Sequence, residues 1–278
     1  MASYERPTEL DHALRLLAER SRVVLAGGTD HFPARVGTAV DEDVLDVSAI
    51  AGLRGIVATR DGWCIGATTT WTDVLEADLP AQFDGLRQAA REVGGVQVQN
   101  RGTLGGNLCN ASPAADGIPA LMALDAEVEL RDAKGALRVP LDNFVLGNRR
   151  TARRPDQLVT AIHVPRLAEG TRTTFLKLGA RRYLVISIVM VAATLEPGAG
   201  GTVGRARVAI GACSPVARRL GALEAVLAGR PMGPDLGAAA EALHLADLAT
   251  IDDVRGSAAY RREAALILVR RALDRLAA

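Results

Sequence analysis

Two pairs of adjacent glycines constrain this chain more than any other feature: Gly27–Gly28 in "VVLAGGTDHFPA" and Gly105–Gly106 in "TLGGNLCNASPAADG". Residues without a side chain are kept where the backbone takes a positive φ or must approach another group closely. The apolar run Val23–Ala26 before the first pair reads as a short strand, and Thr29 or Asp30 is placed to cap a helix just beyond it. Successive N–H groups in such a turn can converge on an anion, and a following helix N-terminus would reinforce them. The second pair is flanked by Thr103 and Asn107, whose side chains can hydrogen-bond. Ser112 and Asp116 follow, where a short helix is expected to begin at Pro113–Asp116. A carboxylate repels phosphate, so Asp116 is expected to accept bonds from sugar or polyol hydroxyls instead. Neither stretch is G-x-x-x-x-G-K-[ST] or G-x-G-x-x-G, and no lysine follows, which argues against a P-loop. Each stretch alone reads equally as a tight turn beside a capped helix. Together they suit a pyrophosphate held from two sides by amide dipoles.

Composition narrows the partners. A chain of 278 residues with a formal net charge of +1 offers no electrostatic case for nucleic acid or a membrane surface. Hydrophobic residues make up 49% of the chain, enough for two domains, but aromatics only 3%, so a flat ligand would be enclosed largely by aliphatic side chains. No apolar run approaches the roughly 18 residues of a membrane span. The opening "MASYERPTEL" has no basic-then-apolar signal, and a cytoplasmic location is expected. Cys64, Cys109 and Cys213 are widely separated without C-x-x-C, and the four histidines have no metal-ligand spacing, so neither disulfides nor a metal site is expected.

Along the chain, Thr8 is the expected N-cap of a helix with Leu10, Ala13, Leu14, Leu16 and Leu17 on its apolar stripe. "VLDVS" reads as a strand and "LRGIVATRDGWCIGATTTW" as a hairpin around Asp61–Gly62. "TDVLEADLP" and "FDGLRQAAREVG" read as helices, the second ending at Gly94–Gly95. A hairpin near Lys134–Gly135 and a strand "QLVTAIHVP" follow, with a boundary in the Arg-, Pro- and Thr-rich stretch 151–170. "TTFLKLGARRYLVISIVMVAATLE" leaves helix and strand open before its final strand, and "GTVGRARVAIGACSPVARRL" is a strand ending in a turn. From Leu220 the pattern is mostly helical, and the last helix has Ser257 as N-cap and Ile267, Leu268, Val269 and Leu273 on its apolar side. This is an α+β pattern in an N-terminal part of 1–168 and a C-terminal part of 169–278.

Four motifs, in order, resemble one family: "AGGTD" at 26–30, "NRGTLGGNLCNASPAADGIPALMALDAEVEL", "FLKLGARRYLVISIVMVAATLE" and "DDVRGSAAYRREAALILVRRAL". They are similar to the FAD-binding (medium) subunits of molybdenum hydroxylases, the family of xanthine dehydrogenase and carbon monoxide dehydrogenase. The resemblance implies a two-lobed split FAD-binding fold of the vanillyl-alcohol-oxidase/cresol-methylhydroxylase type, with lobes of about 1–55 and 56–168. A C-terminal α+β domain with an antiparallel sheet and helices would cover the ring. It also implies that Leu25, Ala26, Gly27, Gly28, Thr29 and Asp30 line the cofactor's phosphate and ribityl region. Thr103, Gly105, Gly106 and Asn107 would form the opposing wall, and Asp116 would meet hydroxyls. Lys177 would lie at the polar edge of the flavin, where a cation stabilises negative charge on the reduced ring.

Tyr183 falls near the place where some members set a tyrosine beside the ring. Val93 stands where the animal xanthine enzymes carry a stacking phenylalanine, a departure from that pattern. His31 follows "GGTD", but this subfamily holds FAD non-covalently. Asp253, Arg255, Ser257, Tyr260 and Arg261 match the closing motif and read as a capped helix start with a local charge pair. The implied role is electron transfer in a heterotrimer. A large subunit would carry molybdopterin and a small one two [2Fe-2S] clusters, and FAD would pass electrons to NAD+, dioxygen or another acceptor. A dimer of heterotrimers is implied, with a lean towards purine or N-heteroaromatic substrates. A free-standing flavin reductase of the same fold, or a cofactor-less scaffold or maturation protein, are the alternatives. The first lacks its own substrate domain here, and the intact glycine motifs weigh against the second.

Overall fold

The segment Val189–Pro197 is a strand with both faces buried, which is why its sequence carries no amphipathic period. Val189, Val191, Ala193 and Leu195 face one apolar core, and Met190 and Ala192 face another. The computed structural model describes residues 2–37 and 41–278 and arranges them around three main sheets.

The first sheet is three-stranded and parallel: β1 (Tyr4–Glu5), β2 (Val23–Leu25) and β3 (Val44–Asp46), in the order β1-β3-β2. Helix α1 (Leu10–Glu19) connects β1 to β2 and buries Ala13, Leu14, Leu16 and Leu17. Thr8 is not its cap: the helix begins at Leu10 with Glu9 at the cap position and no side-chain bond there. Beyond β2 there is a turn and a single 3-10 turn at Pro33–Arg35, not the capped helix that "AGGTD" suggested.

The second sheet runs β4-β5-β10-β6-β7, built from β4 (Ile56–Ala58), β5 (Gly62–Gly66), β6 (Glu127–Asp132), β7 (Gly135–Pro140) and, after the small hairpin β8 (Val145–Gly147) and β9 (Arg150–Thr151), β10 (Leu158–Pro165). Both expected hairpins are present, and all pairings are antiparallel. Between β5 and β6 lie five helices: α2 (Trp71–Glu76), α3 (Asp84–Glu92), α4 (Val96–Arg101), α5 (Leu104–Asn110) and α6 (Gly117–Met122). The helix expected to begin at Pro113–Asp116 is α6, and it begins at Gly117. The short helix α7 (Leu141–Phe144) follows β7.

The third sheet is antiparallel, β11-β12-β13-β14, from β11 (Arg172–Leu178), β12 (Val189–Pro197), β13 (Val203–Gly211) and β14 (Arg218–Arg219). One face packs on α8 (Gly221–Leu227) and α9 (Ala258–Ala277), and the other on α3 and α6. Between α8 and α9 the chain forms only 3-10 turns, at Leu236–Ala239 and Ala242–Leu245, so the continuous helical run expected there is broken. Ser257 does cap α9, accepting from the Tyr260 N–H at 3.1 Å, but Ile267 is 40% exposed and lies off the buried face.

A charge network joins the third sheet to α6. Asp125 adopts a positive φ after α6 and accepts ion pairs from Arg205 (3.0 Å), Arg207 (2.5 Å) and Arg219 (2.8 Å). Arg207 is fully buried and also meets Glu196 at 2.6 Å. Burial would raise the Asp125 acid, but Arg219 and Arg207 outweigh it and hold the carboxyl below its ordinary range. A guanidinium out of water is costly unless its charge is matched, so Asp125→Asn is expected to destabilise the fold by about 3 kcal/mol at neutral pH. The gap between wild type and variant is expected to shrink as pH falls below the ordinary aspartate value, because the unfolded chain's aspartate then takes up a proton that the folded carboxylate, held lower, still refuses. Urea unfolding between pH 3 and 7 measures both effects.

Candidate functional site

A cleft of about 880 Å³ opens where the first two lobes meet the third sheet. Its first wall is the turn after β2, where Leu25, Ala26, Gly27, Gly28, Thr29 and Asp30 all line the cavity. Gly28 has φ +72°, a region that L side chains rarely adopt. Gly27 serves a different need: a Cβ there would stand 1.9 Å from the Arg101 carbonyl oxygen at the end of α4. The N–H groups of residues 27–31 meet no acceptor among the described residues, which leaves a row of donors at the cavity edge.

The opposing wall holds Thr103, Gly105, Gly106 and Asn107, as the sequence suggested, but it is a helix rather than a loop. Two glycines, an asparagine and a cysteine are weak helix formers, which hid α5 from a propensity reading. Tertiary bonds compensate. Leu104 N–H donates to the Thr69 carbonyl, Gly105 N–H to Ala67, and Gly106 N–H to the Thr103 hydroxyl, the first two at 2.9 Å and the third at 3.0 Å. These amides are therefore committed to the protein. The expectation that both stretches present free dipoles holds only for the first.

Gly105 is required for packing, since a Cβ would lie 2.6 Å from the Ala67 oxygen. Gly106 meets little: the Thr103 hydroxyl alone comes within 4 Å of a Cβ placed there. The Asn107 Oδ1 is buried without a partner.

The inner end of the cleft is closed by a buried ion pair. Lys177, near the end of β11, donates to Asp116 Oδ2 at 2.7 Å and to the Glu92 carbonyl at 3.0 Å. Ser187 donates to Asp116 Oδ1 at 2.6 Å. The lysine and aspartate side chains are 6% and 8% exposed. Burial pushes the Asp116 carboxyl up, with Lys177 and Ser187 opposing. Asp116 thus reaches the cleft as the counter-ion of Lys177, with both oxygens already engaged, and not as a free acceptor for hydroxyls.

Tyr183 is not brought to the cleft. It is 59% exposed, with the Arg182 guanidinium 5.3 Å from its ring centre, while its neighbours Leu184, Val185 and Ile186 line the cavity. Val93 and Val98 line it too, so most of the apolar lining is aliphatic. Trp71 and His31 are the exceptions. Burial, and then Arg35, keep the His31 imidazole below its usual range. Cys109 also lines the cavity, and burial pushes its thiol up to about 11, which suits packing and not reactivity.

Sequence reasoning missed four arginines at this site, Arg35 among them. Arg22 lines the cavity and donates to the Leu16 carbonyl, and Arg153 lines it through the segment after β9. Arg149 crosses the mouth to Asp30 at 3.0 Å. Their positions depend on how the lobes meet, and no local motif announces them. Among the described residues no cluster could hold a metal ion, and no helix is long and apolar enough to cross a membrane.

The cavity fits an extended, flat, anionic cofactor. It offers unengaged N–H groups, an orphaned amide oxygen, a glycine face that a Cβ would fill, aliphatic walls, and a buried ammonium at one end. Its volume lies in the upper part of the range for small-molecule sites.

Comparison with known proteins gives the same reading. Residues 1–167 match the family described as the FAD binding domain in molybdopterin dehydrogenase, and residues 174–276 the CO dehydrogenase flavoprotein C-terminal domain. The chain is 30% identical over 275 residues to the carbon monoxide dehydrogenase medium chain of Hydrogenophaga pseudoflava, covering 98% of this chain and 95% of that one. It is 29% identical over 270 residues to the xanthine dehydrogenase FAD-binding subunit of Escherichia coli O157:H7, covering 94% and 90%. A chain of the reconstituted CO dehydrogenase from Oligotropha carboxidovorans superposes with a TM-score of 0.93 at 28% identity, over 100% of this chain and 98% of that one.

The seat of Gly27 against α4 gives a test of the geometry. Gly27→Ala is expected to push the two walls apart and to destabilise the protein by about 2 kcal/mol, measured by thermal unfolding, because the clash is with backbone.

Proposed function

Since the chain belongs to the FAD-binding subunits of the molybdenum hydroxylases, we propose that it carries FAD, bound non-covalently, in the cleft between its lobes and relays electrons from a partner to an external acceptor. The observation that carries this reading is the cleft itself: unengaged amides of residues 27–31 at one wall and the buried Lys177 ammonium at its inner end. When bound, FAD supplies a centre that accepts electrons singly and releases them in pairs. A small subunit with two [2Fe-2S] clusters would deliver them, and a large molybdopterin subunit would oxidise the organic substrate. NAD+, dioxygen or another acceptor would take them, and the assembly would be a dimer of such heterotrimers.

The chain's own residues do four things in this scheme. The amides of residues 27–31 bind the diphosphate, with the Thr29 hydroxyl beside them. Gly106 leaves room for the cofactor to lie against α5, and the Asn107 amide reaches it. Lys177, fixed by Asp116, Ser187 and the Glu92 carbonyl, holds a positive charge where the ring becomes negative on reduction. Val93, Leu184, Val185 and Ile186 exclude water from the ring without stacking on it. Tyr183 has no place in this arrangement. No residue is required as an acid or base towards the organic substrate.

Gly106→Val and Asn107→Leu are each expected to yield protein with native circular dichroism but little or no flavin absorbance. Full flavin content in both would refute the placement of the cofactor. Lys177→Met, combined with Asp116→Asn to keep the buried site neutral, is expected to lower the two-electron midpoint potential by about 30 mV, equivalent to about 1.4 kcal/mol. Tyr183→Ala is expected to leave both flavin content and potential unchanged.

A further inference from the structure

The ion pair between Arg149 and Asp30 is unusual in what it connects. Arg6–Asp46 and Arg20–Asp43 stay within the first lobe. Arg149–Asp30 joins residues 119 apart in sequence, one in the turn after β2 and one between β8 and β9, at 3.0 Å across the cleft mouth. Both residues line the cavity.

Neither residue suits its position by itself. Arg149 has φ +55°, a conformation that L side chains rarely adopt. Its N–H donates to the Asn110 carbonyl at 3.1 Å, which pins the turn between β8 and β9 to the end of α5. Strain of this kind persists only where the surroundings fix it, and it gathers at ligand clamps. Asp30 sits among the unengaged N–H groups of residues 27–31, where a carboxylate repels the diphosphate that those donors suit. Its side chain caps no helix and instead accepts from Arg149. An acid at the rim of an anion seat and a strained arginine opposite it make sense as one device.

The rest of the cleft leaves the mouth as the place for movement. At the back, Gly27 is seated against the Arg101 carbonyl. The apolar core of the first lobe also takes in Leu158 of β10, so the two lobes are packed together there. At the mouth the Arg149 and Asp30 side chains are 59% and 54% exposed and free to part.

We propose that Arg149 and Asp30 form a latch over the bound cofactor, an inference that rests on the FAD reading above. Paired, they bar the way out for the diphosphate and cancel the charge of the carboxylate. Parted, they clear the mouth for exchange. The turn stays pinned to α5, so only two side chains have to move. The weakness of the pair suits this role: an exposed ion pair changes a rate by no more than about fivefold and loses strength in salt, so it slows release without locking the lobes.

Release of flavin tests the latch. The full chain, purified with any chains that accompany it, is diluted with a phosphodiesterase that cleaves only released FAD, and the rise in flavin fluorescence gives the rate. Asp30→Asn is expected to release flavin about threefold faster than wild type, and Arg149→Gln at least as fast as Asp30→Asn, both with native circular dichroism. Because the two residues act through one contact, Asp30→Asn/Arg149→Gln is expected to be no faster than Arg149→Gln. Raising the salt is expected to speed the wild type more than the double variant. The inference is overturned if Asp30→Asn releases flavin at the wild-type rate or more slowly, the result expected of a carboxylate that only repels the diphosphate. It is also overturned if the two single effects multiply in the double variant. Wild type purified without flavin would fail the FAD reading and the latch together, whereas flavin that leaves Asp30→Asn no faster fails the latch alone.

Discussion

The buried pair between Lys177 and Asp116 holds the functional part of this molecule together. It joins the end of β11 in the third sheet to the start of α6 in the helical layer of the second lobe, at 2.7 Å and almost fully out of water. An unpaired charge there would be costly out of water, and burial alone would push the aspartate towards its neutral form. Each is tolerable because the other is present, with Ser187 and the Glu92 carbonyl completing the coordination. The placement of the C-terminal sheet, the inner limit of the cleft and the charge available to a cofactor are consequently one structural fact. The Asp125 network does the same work farther out, anchoring β13 and β14 to the end of α6.

The glycine pairs show how one residue type answers different constraints. In each pair one member is needed for packing: Gly27 against the Arg101 carbonyl and Gly105 against the Ala67 carbonyl. The other member shapes the cavity, Gly28 through its positive φ and Gly106 through the absence of a side chain facing the space. The two walls are chemically unlike. One presents amide donors, while the other has committed its amides to the segment after β5 and to its own cap and offers side-chain groups instead.

Much of the fold was legible because local chemistry set it. The apolar stripe of α1, the Gly-containing hairpin turns, the end of α3 at Gly94 and the Ser257 cap all follow from short-range rules. Elements whose stability comes from elsewhere were not legible. Helix α5 exists because Thr69 and Ala67 accept its first N–H groups, and β12 has no periodic signature because both of its faces are covered. The helix expected after "AGGTD" is absent: Thr29 and Asp30 cap nothing, and Asp30 instead meets Arg149 across the cleft mouth.

The sequence by itself determined the family, the cofactor class and twelve of the residues that line the cleft, because glycine motifs and their flanking polar residues are local and ordered along the chain. Tertiary structure alone decided what those residues do. It made Asp116 the partner of Lys177, left the Asn107 oxygen unmatched, and turned Tyr183 outward while Leu184 and Ile186 faced in. Charge pairing and burial depend on which distant segments meet, and no stretch of sequence carries that information locally.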